Sequence, residues 1–156
     1  MTRGEATTIY LADDDDDDCL LFREALSEMP LPTQLTTVHN GEQLLSLLES
    51  KNGDLPDVLF LDLNMPRKNG QQCLVEIKQS EKLKKLKVVI FSTSFQQEVA
   101  DILYENGALH YIRKPIDFVQ LKNVIHQVLT LIQDDQVPLL SSNFNQPVKA
   151  NYILSY

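Results

Sequence analysis

The stretch Phe60-Leu61-Asp62-Leu63-Asn64-Met65-Pro66 sets a carboxylate at the end of an apolar run, with a proline four positions later. Just before it, Val58, Leu59, Phe60 and Leu61 follow Pro56-Asp57 without alternation. A short continuous apolar run of this kind fits a strand covered on both faces, as in a parallel sheet flanked by helices, better than an amphipathic helix. An unpaired carboxylate is costly inside such a strand, so Asp62 is expected at its carboxyl end, where open α/β sheets place their ligands. A turn or helix-capping aspartate ahead of Pro66 explains this stretch equally well, and the rest of the chain has to decide.

Working outward, the strand, loop and helix pattern recurs on both sides. Ile9 to Ala12 is apolar, six aspartates from Asp13 to Asp18 follow, and Leu21, Phe22, Ala25, Leu26 and Met29 then return at helical spacing. Asp17 or Asp18 can cap that helix and suits its dipole, while Pro30 and Pro32 stop it. Leu35 to Val38 read as a second strand, Asn40-Gly41 as a turn, and Leu44, Leu45, Leu47 and Leu48 as the apolar face of a second helix. Beyond Asp62, a loop ending at Gly70 leads to a third helix with Cys73, Leu74 and Ile77 inward. Val88 to Phe91 form a fourth strand ending in Ser92-Thr93-Ser94, and Val99, Ile102 and Leu103 mark a fourth helix terminated by Gly107. Leu109 to Arg113 make a fifth strand closed by Lys114-Pro115. A last helix is capped by Asp117 and carries Leu121, Val124, Ile125, Val128, Leu129 and Ile132. Parallel strands need helical crossovers, so this alternation predicts an α/β fold with a doubly wound, five-stranded parallel sheet and five helices.

At 156 residues the chain is sized for one domain. Fourteen Lys and Arg against 22 Asp and Glu give a net charge of −8, which opposes direct binding to nucleic acid or to anionic membranes. No stretch approaches the ~18 apolar residues of a membrane span, and Met1 to Glu5 lack a signal-peptide core, so a cytoplasmic protein is expected. Cys19 and Cys73 stand apart, which favours buried thiols over a metal site or a disulfide. His39, His110 and His126 are scattered without a nucleophile motif and read as packing or surface residues.

In a doubly wound sheet the loops after strands one, three, four and five share one edge. Here they would gather Asp13, Asp14, Asp62, Ser92 and Lys114. Three neighbouring carboxylates repel one another and call for a hard divalent cation with oxygen ligands, for which Mg²⁺ is the natural choice. A hydroxyl and an ammonium facing the same point suit the oxygens of a phosphoryl group. Asp62 would then be the nucleophile, forming an acyl phosphate.

On these residues the sequence resembles the receiver domains of two-component response regulators from Ile9 to about Gln133. The resemblance lies in the acidic pair Asp13-Asp14, the loop Leu61 to Pro66 with Gly70, the hydroxyl and small residue Ser92-Thr93, the aromatic Tyr111, and Lys114-Pro115. It implies a flavodoxin-like strand order of 2-1-3-4-5. It implies that Asp62 accepts a phosphoryl group from a histidine kinase or phosphotransfer protein. Mg²⁺ would be held by Asp14, Asp62 and the backbone carbonyl of Asn64, with Asp13 acting through water. Ser92 and Lys114 would meet the phosphoryl oxygens, and Tyr111 would turn inward with Ser92 as a switch. Asn64 and Ser94 would tune the acyl phosphate lifetime, and the Lys114-Pro115 bond would be cis. The surface of the fourth helix, fifth strand and fifth helix would change its preference for a protein partner.

Competing readings fare less well. A run of acids is most often a solvated loop, and the receiver reading needs only its first two members at the metal. An EF-hand would place ligands at Asp13, Asp15, Asp17 and Glu24 but needs Gly at Asp18 and a preceding helix. A haloacid-dehalogenase-type phosphohydrolase finds its Asp-x-Asp in Asp13 and Asp15, yet Asp17 stands where it needs Thr or Val. An unphosphorylated adaptor has no use for the complete set. The receiver is expected over 1–133, with 134–156 as a C-terminal extension and no separate output domain. Val137, Leu139, Leu140, Phe144, Val148, Tyr152, Ile153, Leu154 and Tyr156 make that extension too apolar for a purely solvated segment. It either packs along the receiver or across a second copy, or is an end without fixed structure. A homodimer could also use the face of the fourth helix, fifth strand and fifth helix.

Overall fold

The non-alternating runs become strands because each is covered on both sides. The computed structural model describes residues 6–50 and 54–133. Its elements alternate in the order β1 (Thr7–Ala12), α1 (Asp16–Ser27), β2 (Thr33–Val38), α2 (Gly41–Ser50), β3 (Val58–Leu61), α3 (Gly70–Gln79), β4 (Val88–Ser92), α4 (Gln97–Glu105), β5 (His110–Arg113) and α5 (Phe118–Gln133). All pairings are parallel, and the sheet runs β2-β1-β3-β4-β5, the flavodoxin-like order expected. The described residues end with α5 at Gln133, so the expected boundary there and the extension 134–156 with its expected packing lie outside them.

Alternate residues of each strand serve different cores. Tyr10, Ala12, Leu59, Leu61, Val88, Ile90 and Tyr111 pack with Leu44, Leu48, Cys73, Leu74, Ile77, Ala100 and Leu103 of α2, α3 and α4. Their neighbours Ile9, Leu11, Val58, Phe60, Val89, Phe91 and Ile112 pack with Phe22, Ala25, Leu26, Val124, Ile125 and Val128 of α1 and α5. Each such side chain contributes about 1.5–3 kcal/mol on burial, which keeps the interiors of the central strands apolar. Of the two edge strands, β2 and β5, β2 is the polar one. It pairs only with β1, and its Thr33, Gln34, Thr36 and Thr37 are correspondingly half-buried or exposed.

On the α1 and α5 side, Phe22, Phe60 and Phe91 meet edge to face with centroids 4.9 to 5.8 Å apart. Such pairs add about 0.5–1.5 kcal/mol beyond area burial. Three sequence expectations shift by a residue or two. The α1 cap is Asp15, whose side chain accepts from the N–H groups of Asp17 and Asp18, because the helix starts earlier in the acidic run than Asp17 or Asp18 would allow. Cys19 replaces Leu21 in the core, leaving Leu21 exposed, and Ala100 does the same for Ile102. Gly107 ends α4 as expected, in the left-handed region at φ 104°.

Cys19 and Cys73 are buried free thiols, each pushed up to about 11 mainly by burial, which keeps them unreactive. No helix among the described residues is long and apolar enough to cross a membrane.

His110 is buried at the start of β5, and burial lowers its pKa from 6.5 to about 4. The folded state therefore prefers the neutral ring. Its contribution is intact above pH 6.5 and is lost as pH falls from there towards 4, because the unfolded chain takes up the proton first. At about 1.4 kcal/mol per tenfold change in proton concentration, the loss reaches roughly 2 kcal/mol by pH 5. Denaturant unfolding of wild type and His110→Gln between about pH 7.5 and 5 should show a shallower decline in the variant, by roughly that amount. Parallel declines would refute the assignment.

Candidate functional site

The sheet aims four chain segments at one edge. Hydrogen bonding continues one step past the strands: the Asp13 N–H donates to the Val38 carbonyl at 3.0 Å, the Asp62 N–H to the Ala12 carbonyl at 3.0 Å, and the Lys114 N–H to the Ser92 carbonyl at 2.7 Å. The side chains at these positions are held by the ladder of the sheet, which is stiffer than a free loop.

At the centre lies the Lys114 ammonium. It donates to Asp13 Oδ2 at 2.7 Å, to Asp18 Oδ2 at 2.9 Å and to Asp62 Oδ2 at 3.3 Å. Asp13 is fixed further, since its Oδ1 accepts from the Asp15 N–H at 3.0 Å and its carbonyl oxygen lies 3.2 Å from His39 Nδ1. Asp62 Oδ1 accepts from the Asn64 N–H at 3.2 Å. Asp13 and Asp62 are buried and Asp14 is exposed, and one oxygen from each of the three falls within 4.8 Å of the others.

One ammonium cannot neutralise so many carboxylates in a largely dehydrated place. Burial pushes the Asp13 carboxyl up to about 6, outweighing its hydrogen bonds from Lys114 and Asp15, and the Asp62 charge adds to the rise. Burial by itself would lower the Lys114 ammonium, but its hydrogen bonds to Asp13 and Asp18 and the charges of Asp13 and Asp62 hold it well above its ordinary value. The lysine is therefore charged at neutral pH, and an excess of negative charge remains. An all-oxygen set with that excess fits a hard divalent cation, with Asp13, Asp14 and Asp62 as the residues that could hold it.

Ser92 and Tyr111 complete the arrangement. Ser92 Oγ is fully buried and has no hydrogen-bond partner among the described residues, a costly condition for a hydroxyl and one that an incoming oxygen would relieve. The sequence reading has Tyr111 turning inward on activation. It is already inward here: its ring is buried, its hydroxyl donates to the Ser94 carbonyl at 2.7 Å, and Phe95 meets it edge-on at 4.8 Å. Asn64 and Ser94 are exposed and line, with Leu63, Gln96 and Tyr111, a cleft of about 300 Å³.

The Lys114-Pro115 bond departs from expectation. No cis peptide bond occurs among the described residues. The bond keeps the trans form that X-Pro amides favour by about 0.5–1 kcal/mol. Lys114 is already positioned through its N–H to Ser92, so its ammonium reaches the carboxylates without the cis geometry.

Several supporting residues escaped the sequence reading. Asp18 is a direct partner of Lys114, but six identical residues conceal which of them faces the site. Asn69 and Gln72 form a capping box that starts α3, a signature legible as Asn-x-x-Gln. Gly70, expected at the end of the Asp62 loop, donates its N–H to the Leu63 carbonyl at 2.9 Å and lies so near Asp62 that a Cβ would fall 2.3 Å from the Asp62 carbonyl oxygen.

With this geometry in view, the relatives are informative. The response regulator Rcp1 of Synechocystis is 29% identical over 124 residues, spanning 77% of this chain and 84% of that protein. The transcriptional regulator NtrC of Salmonella typhimurium is 31% identical over 138 residues, which are 88% of this chain but 27% of NtrC. Among solved structures, the phosphorylated cyanobacterial phytochrome response regulator RcpA superposes with a TM-score of 0.76 at 30% identity, covering 83% of this chain and 95% of that one. The Mn²⁺-bound form of Rcp1 gives 0.71 at 27% identity, covering 78% and 91%. Residues 9–126 match the response regulator receiver domain, and since that match takes in every strand but the first two residues of β1, the chain belongs to the receiver domain family of two-component response regulators.

Proposed function

We propose that this receiver is a phosphorylation-controlled signalling module in which Asp62 accepts a phosphoryl group from a histidine kinase or phosphotransfer protein. The observation that carries this reading is the convergence of Asp13, Asp62 and Lys114 on one point, with the Lys114 ammonium 2.7 Å and 3.3 Å from the two carboxylates. A carboxylate oxygen of Asp62 attacks the phosphorus of a phosphohistidine. The new O–P bond forms as the P–N bond breaks, and the imidazole leaves with the electron pair and takes up a proton. Asp14, Asp62 and the Asn64 carbonyl, with Asp13 acting through water, would hold Mg²⁺, which would supply positive charge to offset that of the carboxylate and the phosphoryl oxygens. The Mn²⁺-bound form of Rcp1 supports a divalent ion, and the phosphorylated RcpA supports the modification.

Lys114 donates to the phosphoryl oxygens and Ser92 Oγ gains in them the acceptor it lacks. Tyr111, already inward, is then held there by Ser92, and Asn64 and Ser94 at the cleft tune access of water to the acyl phosphate. The output surface is α4, β5 and α5, where Ile102 and Val119 expose apolar side chains suited to a protein partner or a second copy. Incubation with Mg²⁺ and a small acyl phosphate, or with beryllofluoride, tests the reading. Wild type should be modified and Asp62→Asn should not. Equal modification of both would overturn it.

A further inference from the structure

An ammonium has three N–H donors, and all three of Lys114's are spent on carboxylates: Asp13, Asp18 and Asp62. A phosphoryl oxygen arriving at Asp62 needs one of them. The three acceptors differ in how readily they can yield. Asp13 is 1% exposed and held again through Oδ1, and Asp62 carries the incoming group itself. Asp18 is 32% exposed, on the first turn of α1, so water can solvate its carboxylate once the lysine leaves. Its backbone N–H stays anchored to the Asp15 side chain, which keeps the residue beside the site whichever acceptor the lysine chooses.

Building on the phosphoacceptor reading of Asp62, we propose that Asp18 is a positioning residue that acts through Lys114. It holds the ammonium over the site at rest and is the acceptor exchanged for a phosphoryl oxygen when Asp62 is modified. The exposed members of the run, Asp14, Asp15, Asp16 and Asp17, make no such contact with the lysine, and Asp18 alone of the helical aspartates is half-buried against it. Asp18 thus competes with the phosphoryl group for one donor, which slows loading and limits occupancy.

The test compares wild type, Asp18→Asn, Asp18→Glu, Asp17→Asn and Asp62→Asn in Mg²⁺ and acetyl phosphate, across a range of salt. Asp18→Asn should be loaded about two- to fivefold faster, the effect of one partly exposed ion pair. Asp17→Asn, which removes the same charge from the run, should match wild type, and Asp18→Glu should return towards it. The Asp18→Asn advantage should shrink as salt screens the competing charge, which a merely structural role would not produce. An independent readout is proton exchange of the Lys114 ammonium by nitrogen-15 NMR in the unmodified protein, which should quicken in Asp18→Asn and not in Asp17→Asn. If Asp17→Asn and Asp18→Asn behave alike, or if ammonium exchange is unchanged, the role of Asp18 is refuted while the function stands. If wild type loads no better than Asp62→Asn, the function itself fails, and this inference with it.

Discussion

Replacing Lys114 with methionine is expected to cost about 3–5 kcal/mol of folding stability at neutral pH, the usual penalty for removing one partner of a buried charge set. The side chain is 9% exposed and faces two carboxylates that are drier still, so no water moves in easily to replace the ammonium. Methionine keeps the apolar stem and removes the charge, which separates electrostatics from packing. Two conditions should restore stability. A divalent ion held by the folded carboxylates alone would offset their charge, so millimolar Mg²⁺ should recover a larger share in the variant than in wild type. Acid should also narrow the gap. Asp13, already raised to about 6 from 3.8 in wild type, loses in the variant the Lys114 hydrogen bond and charge that lower it, so the variant's folded state takes up the proton sooner and more of its burden lifts as pH falls. Urea unfolding with and without Mg²⁺ measures both effects. A loss under about 1 kcal/mol would mean that the carboxylates do not depend on the lysine.

Gly70→Ala should damage the site as much as it damages the fold. The added Cβ would lie 2.3 Å from the Asp62 carbonyl oxygen and 2.8 Å from the Leu63 Cα, both main-chain atoms that cannot swing aside. Asp62 is tied to Ala12 through its N–H, so relief must come from shifting the loop that carries the carboxylate. Overpacking of this kind costs about 1–3 kcal/mol. A displacement of Asp62, the proposed nucleophile, by about 1 Å is enough to slow its reaction on the order of 100-fold. Loading by acetyl phosphate should therefore fall far more than stability does. Gly107→Ala supplies the contrast, since its cost is backbone strain at φ 104° after α4, where the nearest atoms are the flexible end of Lys78. It should lose stability and load normally. Similar loading in Gly70→Ala and wild type would show that the loop has slack.

Most of the sheet was legible because doubly covered strands leave an uninterrupted apolar signal. Where hydrogen bonding and not burial sets an element, residue types carry no such signal. β1 begins at Thr7 and not Ile9 because Thr7 and Thr8 pair with Thr33 and Gln34 on the edge strand, which carries no apolar signature. The α1 cap was misplaced for a related reason: within six identical aspartates only geometry distinguishes Asp15 from Asp17. Asp13, Asp14, Asp62, Ser92 and Lys114 were each marked by following a strand. Asp18 follows none and reaches the site from a helix, so it could not be found that way. The trans Lys114-Pro115 bond depends on a small energy difference that residue types do not reveal.

The division of each strand between two cores separates adjacent residues of β5 mechanically. Tyr111 belongs with α2, α3 and α4, whereas Ile112, its neighbour in the chain, belongs with α1 and α5 behind the three phenylalanines. The sheet is in effect a bulkhead between two compartments. Any movement of Tyr111 strains the packing of one compartment only, and the helices of the other can keep their grip on Asp18 and Asp13 while the far side is remodelled.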